Sequence, residues 1–198
     1  MDQVITVENC KKLAKKLGYK IFEDTVNIWG IRTPKGAGFN DFLLIWGSLN
    51  GMYREVFGTC TTEPSAGYVE TLMASGKSNK NGIFVLKTGQ YINCWKKGLH
   101  KGKYPALVQA PTAKFVGYRK KTDEPENYYS GKLWYDVEGL NFHSTKPDYE
   151  RDNIGGFSEG CIVQHNFDNF KDITIPFIYN FPELYSFTLV DLQALIDL

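Results

Sequence analysis

"DFLLIWGSLNGMYREVFGTCT", Asp41 to Thr61, sets two apolar or β-branched runs on either side of "LNG" (Leu49–Gly51). Asn-Gly tolerates the positive φ angles of a tight hairpin turn, so the stretch predicts two antiparallel strands. The same signature spreads outward along the chain. "VNIWGIR" (Val26–Arg32) precedes it, and "GIFVLKTG", "YPALVQA", "AKFVGY", "KLWYDVEG" and "LNFHS" follow, separated by Gly, Pro or charged turns. "KKTDEPENYYSGK" (Lys120–Lys132) is the most polar segment and reads as a surface loop. Helical signals concentrate towards the two ends. Val7, Cys10, Leu13 and Leu17 recur at helical spacing with lysines opposite and Gly18 placed as a stop. Past Cys161, "DNFKDI" predicts a helical turn, "YSFTLV" a last strand and "DLQALIDL" a short closing helix. The expectation is one mainly β (α+β) domain over residues 1–198, with an N-terminal helix in residues 1–22 packed on it.

Composition narrows the function classes. Aromatics make up 15% of the 198 residues and glycines (19) outnumber prolines (8), which suits many strands and turns rather than a helical bundle. The 23 basic and 22 acidic residues leave a net charge of +1, so there is no global field to favour nucleic acid or anionic lipid. "WKKGLHKGK" (Trp95–Lys103) and "YRKK" (Tyr118–Lys121) read as solvated basic loops. Cys10, Cys60, Cys94 and Cys161 form no CxxC pair, which argues against a disulfide framework or a zinc ribbon. No run approaches the ~20 apolar residues of a membrane span. The N-terminal segment lacks the apolar core of a secretory signal, so synthesis in the cytoplasm without a signal peptide is expected.

"IGGFSEGCIVQ" (Ile154–Gln164) places Cys161 directly behind Gly160 at the start of a strand, and His143 in "GLNFHST" ends an earlier one. A cysteine alone is by default a small packing residue. Beside a histidine it becomes a candidate nucleophile, because an imidazole lowers the thiol pKa as ion-pair partner and returns the proton to the leaving group. The loop "KPDYERDNIGG" is expected to bring the second strand back antiparallel to the first, with both side chains at one sheet end. Ser144 is placed to hold the imidazole, and the backbone N–H groups of Gly160 and Cys161 to face a developing oxyanion. His165, four residues beyond Cys161, allows a zinc site with His143 and Asp148, but the spacing matches no standard pattern. "KTG" (Lys87–Gly89) lacks the Ser-x-x-Lys nucleophile motif that would make it meaningful.

The block "HST…GGFSEGCIV" resembles the catalytic signature of L,D-transpeptidases of the YkuD type, in which a histidine followed by a small residue precedes an S-x-G-C segment. His143, Ser144, Ser158, Gly160 and Cys161 fall on that pattern. A broader likeness, from "NIWGIR" through "LHKGKYPALVQ" to "GGFSEGC", is to proteins encoded by phages and prophages. The resemblance implies a β-sandwich catalytic domain and acyl transfer on peptidoglycan stem peptides through a thioester on Cys161, passed to an amine or to water. It implies no metal and no organic cofactor. Catalytic roles fall to Cys161, His143, Ser144 and Gly160; candidate substrate contacts are Ser158, Glu159, Tyr91 and His100. Glu159 stands where the family usually has histidine, and a carboxylate there is expected to raise the thiol pKa. Action at the bacterial cell wall then requires phage-type or other non-Sec delivery. The alternative is a non-catalytic phage structural or wall-binding module that keeps the fold. The oligomeric state is not legible in the sequence.

Overall fold

The computed structural model describes residues 3–34, 38–64, 68–76, 78–121, 131–135, 137–149 and 154–198. Eight strands close into a mixed barrel: β1 (Asn27–Arg32), β2 (Asp41–Leu49), β3 (Met52–Thr61), β5 (Gly89–His100), β6 (Tyr104–Gln109), β8 (Phe142–Ser144), β9 (Ile162–Gln164) and β10 (Leu184–Asp191). Their order around the barrel is β1-β10-β5-β6-β8-β9-β3-β2. β4 (Ile83–Leu86) and β7 (Gly117–Lys120) form a separate two-stranded sheet. In place of the two packed sheets of the expected sandwich, the main sheet curls onto itself, which removes its edges.

The β2–β3 hairpin is the one expected. Asn50 (φ 52°) and Gly51 (φ 79°) occupy its turn in the left-handed region, and the strands pair from Leu49↔Met52 to Asp41↔Cys60. β1 is buried along its whole length because it is covered on both faces. Ile28 joins the barrel interior with Ile45, Trp95, Phe142 and Phe187, while Trp29 and Ile31 pack outward against α1 (Val7–Leu17). That double burial explains why "NIWGIR" carries no polar alternation. α1 itself is capped by Thr6, whose Oγ1 accepts from Asn9 N at 3.1 Å, and stops at Gly18 (φ 71°). A helical segment follows β9: α3 (Phe167–Asn169), a π-helical turn (Phe170–Thr174) and α4 (Ile175–Tyr179). It feeds Phe170, Ile175, Phe177 and Ile178 into the interior cluster. α2 (Val69–Ala74), which the sequence patterns did not signal, lies outside the barrel, and α5 (Leu192–Ile196) packs beside α1.

Two local expectations change. "WKKGLHKGK" is not a loop: β5 continues to His100 and only Lys101–Lys103 turn, with exposed positions along the strand accommodating the charges. Among its described residues "KLWYDVEG" contributes a single bridge, Trp134↔Gly117, to the small sheet. The loop expected over Lys120–Lys132 falls mostly outside the described residues. Among the described residues no helix is long and apolar enough to cross a membrane.

Candidate functional site

β8 and β9 are adjacent and parallel, with Phe142↔Ile162, His143↔Val163 and Ser144↔Gln164 in register. The antiparallel return expected from sequence does not form. The Thr145–Cys161 connection has the length of about a dozen or more residues that a parallel crossover needs, and its Ile154 is buried with Phe39 and Val163 outside the barrel. Phe142 and Ile162 point into the core. Alternation along each strand therefore sends His143 and Cys161 to the same outer face, offset diagonally.

A tight turn presents the cysteine. Ser158, fully buried, accepts from Gly160 N at 3.1 Å and donates from Oγ to Cys161 O at 2.8 Å. Gly160 has φ 122°, and a Cβ there would stand 2.7 Å from Phe84 O of the small sheet. Only glycine fits this position. Two assignments are corrected by this geometry. Ser158 is a clamp on the turn rather than a substrate contact, and the Gly160 N–H expected in an oxyanion hole is already engaged.

Cys161 opens on a cleft of about 520 Å³ lined also by Glu159, Gly160, His100, Lys101 and Asn141. Cys10, Cys60 and Cys94 are buried, whereas Cys161 is partly exposed. Its Sγ lies 3.5 Å from Gly139 O. Although one side of the residue meets the cleft, protein surrounds most of the thiol. Burial accordingly raises its pKa; the backbone N–H of Asn141 and the charge of Lys101 lower it, and Glu159 raises it.

His143 sits behind the cleft wall and is 1% exposed. Its Nδ1 lies 2.8 Å from Ser144 O and 3.2 Å from Tyr104 Oη, while the Tyr104 hydroxyl donates to the same Ser144 carbonyl at 3.1 Å. A carbonyl only accepts, so Nδ1 carries the proton and Nε2 is left as an acceptor. Nε2 is buried and has no hydrogen-bond partner among the described residues. The ring stacks on His100 with centroids 3.9 Å apart and planes at 27°. Burial, then His100 and Lys101, push the His143 pKa down to about 3, against the opposing Ser144 hydrogen bond. With the thiol raised and the imidazole lowered, the resting pair is neutral. The low-dielectric setting thus disfavours a thiolate–imidazolium pair before substrate binds. No hydrogen bond joins Cys161 to His143 among the described residues.

The remaining candidates sort clearly. Ser144 supports His143 through its carbonyl; its hydroxyl donates to Thr145 O at 3.1 Å. Glu159 is exposed at the cleft, and His100 lines the cleft wall. Tyr91 is not a cleft residue: it is buried against Phe115 in the barrel interior, with its hydroxyl donating towards Lys87 O and Val116 O. His165 stacks on Phe39 at 4.3 Å, and among the described residues no group of three or more His, Cys, Asp or Glu is placed to hold a metal. Lys101, Tyr104 and Asn141 were missed by the sequence patterns. The only signal for Lys101 and Tyr104 was the basic run around His100, which a surface turn explains equally well, and Asn141 stood only as a neighbour of His143 in "GLNFHST". No family model, curated protein or solved structure matches the chain.

Proposed function

We propose that the protein is a cysteine-dependent acyl-transfer enzyme with Cys161 as nucleophile and His143 as general base and acid. One observation carries the reading. The single cleft-facing thiol of the four shares the outer face of β8–β9 with an imidazole held in the Nδ1–H tautomer, its Nε2 unpartnered among the described residues. In this mechanism substrate binding brings the thiol towards Nε2. The S–H proton passes to Nε2 as sulfur attacks the acyl carbon, and Nε2–H then protonates the departing amine. The resulting thioester passes its acyl group to an amine or to water. A neutral resting pair fits proton transfer during attack rather than before it.

The substrate class we propose, peptidoglycan stem peptides, rests on the ordered His-Ser and Ser-x-Gly-Cys residues and their likeness to L,D-transpeptidases. The kinship of this barrel with the transpeptidase β-sandwich belongs to the same proposal, as does action at the bacterial wall after phage-type or other non-Sec delivery. The test is incubation with a disaccharide tetrapeptide: D-alanine release by the wild type and none by Cys161→Ala supports the reading, and equal release by both overturns it. A second reading, a wall-binding module without turnover, is favoured by the missing Cys161–His143 hydrogen bond and by Glu159 at the cleft. Retention on insoluble peptidoglycan without any product would select it.

A further inference from the structure

If Cys161 attacks a carbonyl, negative charge develops on the acyl oxygen, and the backbone cannot supply the expected pair of donors. Gly160 N–H is tied to Ser158 Oγ at 3.1 Å. His100, at the end of β5, is the cleft-lining imidazole. Its ring stacks on His143 at 3.9 Å and meets Tyr104 at 5.5 Å in a tilted contact. Its Nδ1 is buried with no hydrogen-bond partner among the described residues. A buried N–H without an acceptor is costly, so we place the proton on Nε2, which is not among the buried unpartnered atoms of this cleft-lining residue. The two stacked rings are thus opposite tautomers: His143 offers an acceptor and His100 a donor.

We infer that His100 is the side-chain donor that stabilises the acyl oxygen during attack by Cys161, in place of the Gly160 N–H. The inference rests on the proposed nucleophile. A neutral imidazole serves as such an electrophile, and burial together with neighbouring Lys101 holds the His100 pKa below its ordinary value. Other charges around the cleft are Arg119, Glu138 and Glu159. They do not change which His100 nitrogen is free. In the step itself sulfur forms the C–S bond, the C=O pair moves to oxygen opposite Nε2–H, and the thiol proton goes to His143. Collapse re-forms C=O and expels the leaving group.

The experiment compares two reactions of Cys161 in the full chain, each read by intact mass. 4-Nitrophenyl acetate acylates it through an oxyanion and releases 4-nitrophenolate; iodoacetamide alkylates it by displacement of iodide, with no oxyanion. His100→Phe keeps a stacked ring but has no N–H. Its acylation rate should fall by about 100-fold, the typical effect of deleting one oxyanion donor, while alkylation is unchanged. Should the phenylalanine variant fold poorly, His100→Gln and His100→Asn replace it. The glutamine amide reaches the Nε2 position and should retain more acylation than asparagine, which reaches only the Nδ1 position. Acylation at the wild-type rate in His100→Phe, equal losses in both reactions, or no difference between Gln and Asn overturns the assignment. Ester consumption that persists undiminished in Cys161→Ala would instead overturn the nucleophile, and the inference with it.

Discussion

Replacing His143 by asparagine should flatten the acid dependence of stability. Asparagine keeps an N–H for the Ser144 carbonyl but does not titrate. In the folded wild type the His143 pKa is depressed from 6.5 to about 3. The unfolded chain therefore binds one more proton between those values, and stability must fall as pH drops through that window. At pH 5 the gap to the unfolded pKa is about 1.5 units, and at 1.36 kcal/mol per unit His143 costs the folded state about 2 kcal/mol relative to pH 8. His100, whose pKa is also lowered, acts in the same direction. Asp41 and Asp191, whose pKa values are raised by burial, act in the opposite one. The comparison is therefore the difference between wild type and variant. Urea unfolding followed through the buried Trp29 and Trp95 at pH 8 and pH 5 measures it. The wild type should lose about 2 kcal/mol more than His143→Asn across that interval. Equal losses would show that His143 is charged or solvated in the folded protein, and the neutral-pair account would fail.

Other perturbations test neighbouring parts of the structure. Ser158→Ala removes both clamps on the turn at a fully buried site; it should destabilise the protein by about 1–3 kcal/mol in thermal or urea unfolding and slow Cys161 alkylation. Arg32→Met removes the guanidinium that lies 3.0 Å from buried Glu63 and donates to Thr62 and Leu86 O, and takes the opposing charge from buried Asp41. A loss of about 3–5 kcal/mol in urea unfolding is expected, whereas a neutral result would mean that the Arg32 charge does not stabilise this buried cluster. Glu159→Gln removes an exposed charge that raises the Cys161 pKa, so iodoacetamide labelling should shift modestly to lower pH. An unchanged labelling profile would show that solvent screens this carboxylate from the thiol.

The extent to which the sequence foretold this structure varies with the local chemistry. The Val7–Leu17 helix and the Asp41–Thr61 hairpin were legible because their signals are local: an apolar stripe ending at Gly18, and two patterned strands around Asn50-Gly51. The direction of β8 against β9 was not. "FHS" and "IVQ" are too short to show alternation, and neither carries a local signal for the direction in which it pairs. Cys161 and His143 stood out as a pair through residue type and order. Tyr91 misled because one aromatic on a strand suits either face, and closure of the barrel decided that this one points inward. The charge state of the site was illegible for a similar reason. Ion pairing follows from residue types, but its suppression follows from burial and from the His100 ring lying against His143.

In the proposed mechanism Cys161 forms a covalent acyl intermediate using His143. Intact-mass spectrometry after brief incubation with a disaccharide tetrapeptide, quenched in acid, tests it directly. The expected product is an adduct of the donor minus D-alanine, mapped by peptide digestion to Cys161, absent from Cys161→Ala and strongly reduced in His143→Asn. An adduct on another cysteine, or product formation by Cys161→Ala at the wild-type rate, would contradict it.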